Sequence, residues 1–296
     1  MLTWEFKPQV PYSFAQTMRR LLSFSKSSYI QMDGFFYRTL RTTQGGIYVI
    51  GIAGSDEPEV VLRVQVFGKP SQEEENELKQ LIAHMFSLNT DLTPFYKHAE
   101  QDEILTKVVA QRWGLHLIRE PSLYECLMRT IIGQQLNLSF AATLIDRLIA
   151  FSSPSLSWNQ QLLSVFPTAE MVAVLDYSDL EKLQFSKRKA EYVIDLSRSI
   201  AENNLDLAAL SVLDNEEVST TLLPYRGIGR WTVECFLLFG LGRPNLLPAV
   251  DIGLRNAIWK AYGYDEKPSE QEVRRLGQKW DPWGSYATFY LWDTLS

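Results

Sequence analysis

The feature that most restricts the fold is a dense row of short segments with helical periodicity, which begins near residue 101. Apolar residues in these segments recur at three- and four-residue intervals, and turns containing Pro, Gly or Ser separate them. Helices this short must bury their apolar faces against one another, which favours a compact α domain or a pair of α lobes. The predicted helices cover residues 102–112, 122–150, 159–165, 168–175, 178–183, 187–203, 214–221, 229–240, 251–261, 269–279 and 283–294.

The first hundred residues follow a different pattern. Residues 47–52 form an apolar run, and residues 62–66 alternate apolar and polar side chains as a half-buried strand does. Ser71 and Glu74 then have the spacing of a helix capping box, with apolar residues following at helical intervals. A helix lying on a sheet is therefore expected. The predicted domains are an α/β lobe, made of that sheet and helix, at residues 1–100 and a helical region of two lobes at residues 101–296.

Composition excludes several classes of protein. Of the 296 residues, 46% are hydrophobic and 12% are aromatic, so the chain can build real cores and disorder is not expected. The net charge of -6 argues against a protein that holds nucleic acid by bulk positive charge, although local basic patches stay open. The sequence has 2 cysteines, too few for a disulfide framework, a zinc ribbon or a four-cysteine iron–sulfur cluster.

The same survey predicts where the protein works. The 3 histidines are scattered, which argues against a histidine-based metal site or a Ser-His-Asp triad. The first residues lack the basic and apolar pattern of a signal peptide, and no run of about 18 apolar residues occurs. We therefore expect a cytoplasmic protein without a membrane span.

The most informative local motif is a turn in which Gly227 and Gly229 bracket one apolar residue between two predicted helices. Glycines let a phosphate approach the backbone, and the N–H groups that begin the next helix attract anions. Arg226 and Arg230 add positive charge at the same place. A tight interhelical turn with glycine caps is the alternative, and the spacing alone leaves both interpretations open.

Asp251 follows Pro248 at the start of the next predicted helix. In isolation such an aspartate is usually an N-cap. The ordered series of Gly227-x-Gly229, an apolar helix over 229–240 and Pro248-x-x-Asp251, however, resembles the helix-hairpin-helix/Gly-Pro-Asp superfamily of DNA repair glycosylases. Within it the chain is most similar to the alkylation-repair branch, the bacterial DNA-3-methyladenine glycosylase II type.

The resemblance spans nearly the whole chain. Residues 122–150 resemble the interlobe segment of the family, and residues 187–201 and 280–287 also match its pattern. The N-terminal lobe is similar to the extra lobe of this branch. The resemblance implies a mainly α fold with an N-terminal α+β lobe, the helix-hairpin-helix at about 214–240, and two helical lobes around a cleft that receives a flipped base.

The resemblance also implies that Asp251 is the catalytic carboxylate. Cleavage of a base from deoxyribose passes through an oxocarbenium-like sugar, which a fixed carboxylate stabilises directly or by orienting water. Trp231 stands where strand-cutting members carry a Schiff-base lysine, so a monofunctional enzyme is expected. The missing cluster cysteines point away from the endonuclease III branch.

A cationic alkylated purine can be held between electron-rich rings. The resemblance places Trp231 and Trp292 at aromatic pocket positions, with Tyr286 and Trp283 as nearby candidates. Cys235 falls where the family has another pocket aromatic. For each aromatic residue, ordinary core packing is the alternative.

DNA contacts are implied on two segments. Beside the Gly-Gln step of the interlobe segment, the family inserts a residue into the gap left by the flipped nucleotide; here Gln135 takes that position, or Leu136 takes it over. Lys187, Arg188 and Lys189 either follow the DNA backbone or form a solvated helix face. The predicted DNA-binding residues are Gly227, Gly229, Arg226, Arg230, Thr232, Gln134, Gln135 and Leu136.

No cofactor is expected to be required. In the family the hairpin can hold a monovalent or divalent cation through backbone carbonyls, which correspond to those of Leu223, Tyr225 and Ile228, and an unoccupied turn is the alternative. The implied partner is double-stranded DNA containing alkylated bases, bound by a monomer at the bacterial nucleoid. The competing interpretations are a non-catalytic helix-hairpin-helix DNA-binding protein and a glycosylase for other damaged or deaminated bases.

Overall fold

The computed structural model describes residues 1–25, 29–57 and 59–295. In these residues, five antiparallel strands form a sheet near the N-terminus. The strands are β1 (Leu2–Phe6), β2 (Ile30–Met32), β3 (Phe35–Arg41), β4 (Ile47–Ser55) and β5 (Val61–Phe67). Their order in the sheet is β1-β5-β4-β3-β2, with Val64 of β5 opposite both Trp4 of β1 and Ile52 of β4. The two strands expected from the sequence are therefore confirmed.

Two helices cover one face of this sheet. They are α1 (Phe14–Ser25) and α2 (Gln72–Met85). Phe14, Met18 and Leu21 of α1 and the buried residues of α2 share a core with those of β4 and β5. On β5 the alternating Leu62, Val64 and Val66 are fully buried. The capping box that begins α2 is formed as predicted, because Ser71 accepts from the Glu74 N–H and Glu74 accepts from the Ser71 N–H.

Helices form most of the remaining chain, with a short hairpin among them, and most of their apolar side chains share one large core. Short 3₁₀ turns lie at Ala209–Val212 and Gln278–Trp280, and a π-helical turn at Phe236–Gly240 continues the helix at Arg230–Cys235. The elements are α3 (Thr93–Ala99), α4 (Glu103–Ala110), α5 (Leu123–Gly133), α6 (Leu138–Ser152), β6 (Leu156–Trp158), β7 (Gln161–Leu163), α7 (Ala169–Ala173), α8 (Tyr177–Lys182), α9 (Lys187–Ala201), α10 (Asn215–Leu222), α11 (Arg230–Cys235), α12 (Ile252–Tyr262), α13 (Glu270–Gly277) and α14 (Gly284–Asp293).

The predicted helix over 122–150 is two helices. α5 ends at Gly133, and α6 begins after Asn137, whose side chain accepts from the Phe140 N–H. Between them Gln135 has a φ of 57°, in the left-handed region, so the chain turns there. This break separates the interlobe turn from the helices on both sides and presents it to solvent.

The helix predicted over 159–165 is wrong. The segment is the β6–β7 hairpin, in which Asn159 and Gln160 both have positive φ, as a two-residue primed turn requires. Trp158 and Leu163 pack with Tyr37 of β3 on the second face of the sheet. A non-local contact thus decided the conformation of a short apolar segment whose spacing also suited a helix.

The apolar contacts place α3 with the helices. The buried residues of the sheet core end at Leu88, and those of the helical core begin at Leu92. A domain division at residue 100 stays a prediction. In the part of the chain that the structure describes, no helix combines the length and the apolar character needed to cross a membrane.

Candidate active site

Asp251 occupies the junction between the glycine-rich hairpin and α12. It is the N-cap of α12, and its Oδ1 accepts the Leu254 N–H at 2.7 Å. The indole N–H of Trp292 donates to the same oxygen at 2.8 Å, while the indole N–H of Trp231 donates to Oδ2 at 3.0 Å. The capping interpretation of Asp251 is therefore correct, and the carboxylate in addition collects two side chains from elsewhere in the chain.

Three helices bring these side chains together. Trp231 lies in the first turn of α11, Asp251 precedes α12, and Trp292 lies in the last turn of α14. Phe239 stacks on Trp292 at 6.0 Å between ring centroids, with 17° between the planes. Gly253 leaves room for them, because a Cβ there would lie 3.0 Å from Asp251 Oδ1 and 3.3 Å from Trp292 Nε1. The sequence interpretation identified neither Phe239 nor Gly253.

The geometry suits a carboxylate that must remain charged and immobile. All three groups that hold the Asp251 oxygens are hydrogen-bond donors, the set that an ionised carboxylate accepts. A carboxylate fixed in this way can stabilise positive charge that develops beside it without reorganising first. An indole at position 231 offers no amine, so this residue cannot form a Schiff base.

A second carboxyl group, Glu234, lies on α11 one turn after Trp231. Burial raises its pKa to about 7; the charges of Arg274 and Arg230 oppose this, and those of Glu270 and Asp251 add to it. Its Oε2 is buried and has no hydrogen-bond partner among the described residues. Sequence reasoning missed Glu234, since nothing local distinguishes it from a glutamate on a solvated helix face.

The other predicted pocket residues lie in packed surroundings. The Cys235 thiol is buried, and burial raises its pKa well above the usual value. Trp283 and Tyr286 contact each other at 5.7 Å between ring centroids, and both contact Phe95. These contacts favour the core alternative for Trp283 and Tyr286, and their pocket role stays a prediction.

Gln134 joins the interlobe turn to the hairpin. Its Nε2 donates to the Gly227 carbonyl at 2.7 Å and to Thr232 Oγ1 at 2.8 Å. The next residue, Gln135, is exposed, whereas Leu136 packs against the helical core. Of the two residues expected to fill the gap in the DNA stack, the exposed Gln135 is better placed, and its role stays a prediction.

The two glycines of the hairpin differ in what they permit. Gly227 has a φ of +87°, and a Cβ there would lie 2.3 Å from the ring of Tyr192. Gly229 is the N-cap of α11, and a Cβ there would have no atom within 4 Å. Gly227 is thus required by the turn itself, while a side chain at Gly229 would enter open space.

The basic residues near the hairpin are held to different degrees. Arg226 is exposed but pairs with Glu191 of α9 at 2.9 Å. Arg230 is exposed at the start of α11. Lys189 donates to the carbonyls of Ile132 and Gln134 at 2.5 and 2.9 Å, so it closes the C-terminal end of α5 instead of lying on a solvated face.

The carbonyls of Leu223, Tyr225 and Ile228 lie on the turn between α10 and α11. The Tyr225 carbonyl accepts the Ile228 N–H at 3.0 Å. Backbone carbonyls are the hard oxygen donors that alkali and alkaline-earth cations prefer, so the donor type fits such an ion. A cation here stays a prediction. Among the described residues, no group of three His, Cys, Asp or Glu side chains could hold a metal.

Comparison with known proteins places the chain among DNA repair enzymes. Residues 128–282 match the family model described as "HhH-GPD superfamily base excision DNA repair protein". The chain is 37% identical over 301 residues to "Putative DNA-3-methyladenine glycosylase YfjP" of Bacillus subtilis, covering 99% of both chains. It is 35% identical over 219 residues to a DNA-3-methyladenine glycosylase of the same organism, covering 74% of this chain and 72% of that protein.

Solved structures show the same architecture. The 3-methyladenine DNA-glycosylase from Archaeoglobus fulgidus superposes with a TM-score of 0.84 at 23% identity, covering 99% of this chain and 97% of the other. A Schizosaccharomyces pombe 3-methyladenine DNA glycosylase in complex with abasic DNA gives a TM-score of 0.59 at 28% identity, covering 68% and 96%. The predicted mainly α fold with an N-terminal sheet is confirmed.

Proposed function

Because the chain belongs to the HhH-GPD superfamily of base excision DNA repair proteins, we propose that it is a DNA glycosylase that releases alkylated purines, such as 3-methyladenine, from double-stranded DNA. The observation that carries the proposal is the Asp251 carboxylate, held by two indole N–H groups and one backbone N–H at the hairpin. The names of the relatives, DNA-3-methyladenine glycosylases, support the substrate class.

The reaction depends on a negative charge beside the sugar and not on an acid that protonates the leaving base. As the bond between the base and the sugar breaks, its electron pair leaves with the base, and positive charge develops on the sugar. Asp251 stabilises that charge, and water adds to the sugar carbon and releases one proton to the solvent. An alkylated purine is already cationic, so it departs as a neutral base without prior protonation.

The two indoles give the site a second task. Trp231 and Trp292 each direct an N–H at Asp251, which anchors their rings beside the carboxylate. A cationic base stacked on such rings gains about 0.5–2 kcal/mol per ring from cation–π attraction. Since a normal base carries no charge, this attraction favours the damaged base over its neighbours.

Binding of the DNA is assigned to the exposed hairpin and interlobe turn. Gly229 and Arg230 offer open N–H groups and positive charge to a phosphate. Gln135 lies on the turn that Gln134 connects to the hairpin by hydrogen bonds. The hairpin that binds the phosphate and the residue that fills the gap of the flipped base are thus in contact through Gln134. A cation on the carbonyls of Leu223, Tyr225 and Ile228 would bridge the hairpin to a DNA phosphate. We propose that the protein acts on its DNA as a monomer.

The test is incubation of the protein with alkylated duplex DNA, followed by identification of the released bases. We expect 3-methyladenine among the products from the wild-type protein and none from Asp251→Asn. Binding of the duplex without release by the wild type would favour the non-catalytic alternative. Release confined to deaminated or oxidised bases would favour a glycosylase of another specificity.

The absence of an amine at position 231 predicts the state of the product strand. The strand should remain intact, carry an abasic site and break only after alkali or heat. Borohydride added during turnover should trap no covalent protein–DNA adduct. Prompt strand scission by the purified protein would contradict a monofunctional enzyme, and Lys187 and Lys260 would then be substituted in turn to find the responsible amine.

A further inference from the structure

Asp293, the last residue of α14, is a fully buried carboxylate surrounded by arginines. Its Oδ2 accepts from Arg19 Nη2 and from Arg112 Nε, each at 2.7 Å. Arg20 Nε lies 3.8 Å from Oδ1, and Arg112 Nη2 also donates to the Asp293 backbone carbonyl at 3.3 Å. Arg19 and Arg112 thus hold the carboxylate by directional, charge-assisted hydrogen bonds, while Oδ1 has no hydrogen-bond partner among the described residues and faces Arg20 at ion-pair distance.

The arginines come from two other parts of the fold. Arg19 and Arg20 belong to α1, which lies on the N-terminal sheet, and Arg112 follows α4. The guanidinium of Arg20 also lies over the ring of Phe289, one turn earlier on α14, at 5.4 Å from its centroid. The last turn of α14 is thus fastened to the sheet lobe and to the segment after α4.

That same turn carries Trp292, whose indole N–H donates to Asp251 at 2.8 Å. We propose that Asp293 is a positioning residue for base excision: by fixing the last turn of α14 against Arg19, Arg20 and Arg112, it sets where the Trp292 indole holds the Asp251 carboxylate. The inference rests on the proposed function. Through Arg19 and Arg20, the Asp293 carboxylate connects the last turn of α14 to the helix that lies on the N-terminal sheet.

A purely structural role would have a different consequence. Removing one partner of a buried ion pair lowers stability wherever the pair lies. A positioning role adds a loss of rate in the folded enzyme, because a catalytic group displaced by about 1 Å can cost up to about 100-fold in rate. The two roles are separated by asking whether the effect of Asp293 passes through Trp292.

The experiment is a double-mutant cycle on the single-turnover rate of base release, with Asp293→Asn, Trp292→Phe and their combination. We expect Asp293→Asn to slow release about tenfold in the wild-type background and not further in the Trp292→Phe background, with the Kd for DNA within about twofold. Equal slowing in both backgrounds would overturn the proposal.

Asp56, the residue after β4, offers a matched control because it holds the same helix, α1. Its carboxylate holds the start of α1 through the Phe14 N–H and the Ser13 hydroxyl, at 2.5 and 2.8 Å, at the opposite end from Arg19 and Arg20. Asp56→Asn should lower the Tm yet leave the rate of release within about twofold when the protein is folded. A loss of rate equal to that of Asp293→Asn would also overturn the proposal, because loosening α1 would then suffice.

An activity-independent measurement covers the case in which Trp292→Phe is too slow to assay. The indole N–H of Trp292, identified by its loss in Trp292→Phe, is followed by NMR hydrogen exchange. We expect at least about tenfold faster exchange in Asp293→Asn and no change in Asp56→Asn; unchanged exchange in Asp293→Asn would refute positioning. If the wild-type protein releases no base, the proposed function fails, while this readout still decides the role of Asp293.

Discussion

The two ends of α14 carry similar aromatic residues in different settings. In the first turn Trp283, the N-cap, and Tyr286 pack on each other and on Phe95. In the last turn Trp292 directs its indole N–H at Asp251. The first set of contacts is non-directional and excludes water, whereas the second fixes one atom of a carboxylate. The hydrogen bond from the Trp292 indole N–H to Asp251 therefore distinguishes the last turn of α14 from the first.

Removal of the Asp251 charge should give the largest effect, because both indoles depend on this carboxylate. Asp251→Asn should lower the single-turnover rate of excision by at least about 10³-fold, since the developing charge on the sugar loses its counter-charge. DNA binding should persist or tighten, because a negative charge near the phosphates is gone. The checks are rate and Kd for both proteins, and near-normal excision by the variant would refute the catalytic assignment.

The same substitution at the two ends of α14 tests the comparison directly. Trp292→Phe removes a hydrogen-bond donor to a charged acceptor, so we expect excision to slow about 10-fold or more and the free energy of unfolding to fall by about 1–3 kcal/mol. Trp283→Phe should lower the free energy of unfolding by about 1 kcal/mol and leave excision within about twofold. Slow excision by Trp283→Phe would instead support the predicted role of Trp283 in the base pocket.

The hairpin glycines allow a parallel test. Gly227 is needed for the packing of the turn, whereas Gly229 is expected to let a DNA phosphate approach the backbone. Gly229→Ala should stay folded and bind DNA about tenfold more weakly, without regard to sequence, since the new methyl group occupies the space open to a phosphate. Gly227→Ala should instead mainly lower the stability of the fold, because the φ of residue 227 is positive and the new Cβ would clash with the ring of Tyr192. Circular dichroism, Tm and Kd separate these outcomes, and unchanged DNA affinity in Gly229→Ala would reduce the hairpin to a structural turn.

Glu234 should produce the smallest effect, and one that depends on pH. Its folded pKa of about 7 lies above the unfolded value near 4.5, so its contribution to stability is complete below about pH 4.5 and is lost as the pH rises through 7. Glu234→Gln should therefore match the wild type near pH 5 and exceed it by about 1 kcal/mol at pH 8. Denaturant unfolding at both pH values checks this; a constant difference would contradict the raised pKa.

Local signals in the sequence determined a large part of this protein. The alternation on β5, the capping box of α2 and the N-cap aspartate of α12 were predictable because each depends on residues within one turn or one strand. The resemblance carried by Gly227, Gly229 and Asp251 indicated the family. Residues 159–165 show the limit of such signals: the apolar spacing fitted a helix, and only contact with the sheet selected a hairpin.

Tertiary structure alone decided which aromatic residues hold the carboxylate and what holds them in turn. Trp292 lies 41 positions from Asp251 along the chain, and Arg19 lies 274 positions from Asp293. Hydrogen bonds of this kind are directional and short in range, so they exist only after the helices have packed. Periodicity reports which side chains are apolar or buried; it carries no information about which distant polar atom a buried indole or guanidinium will meet.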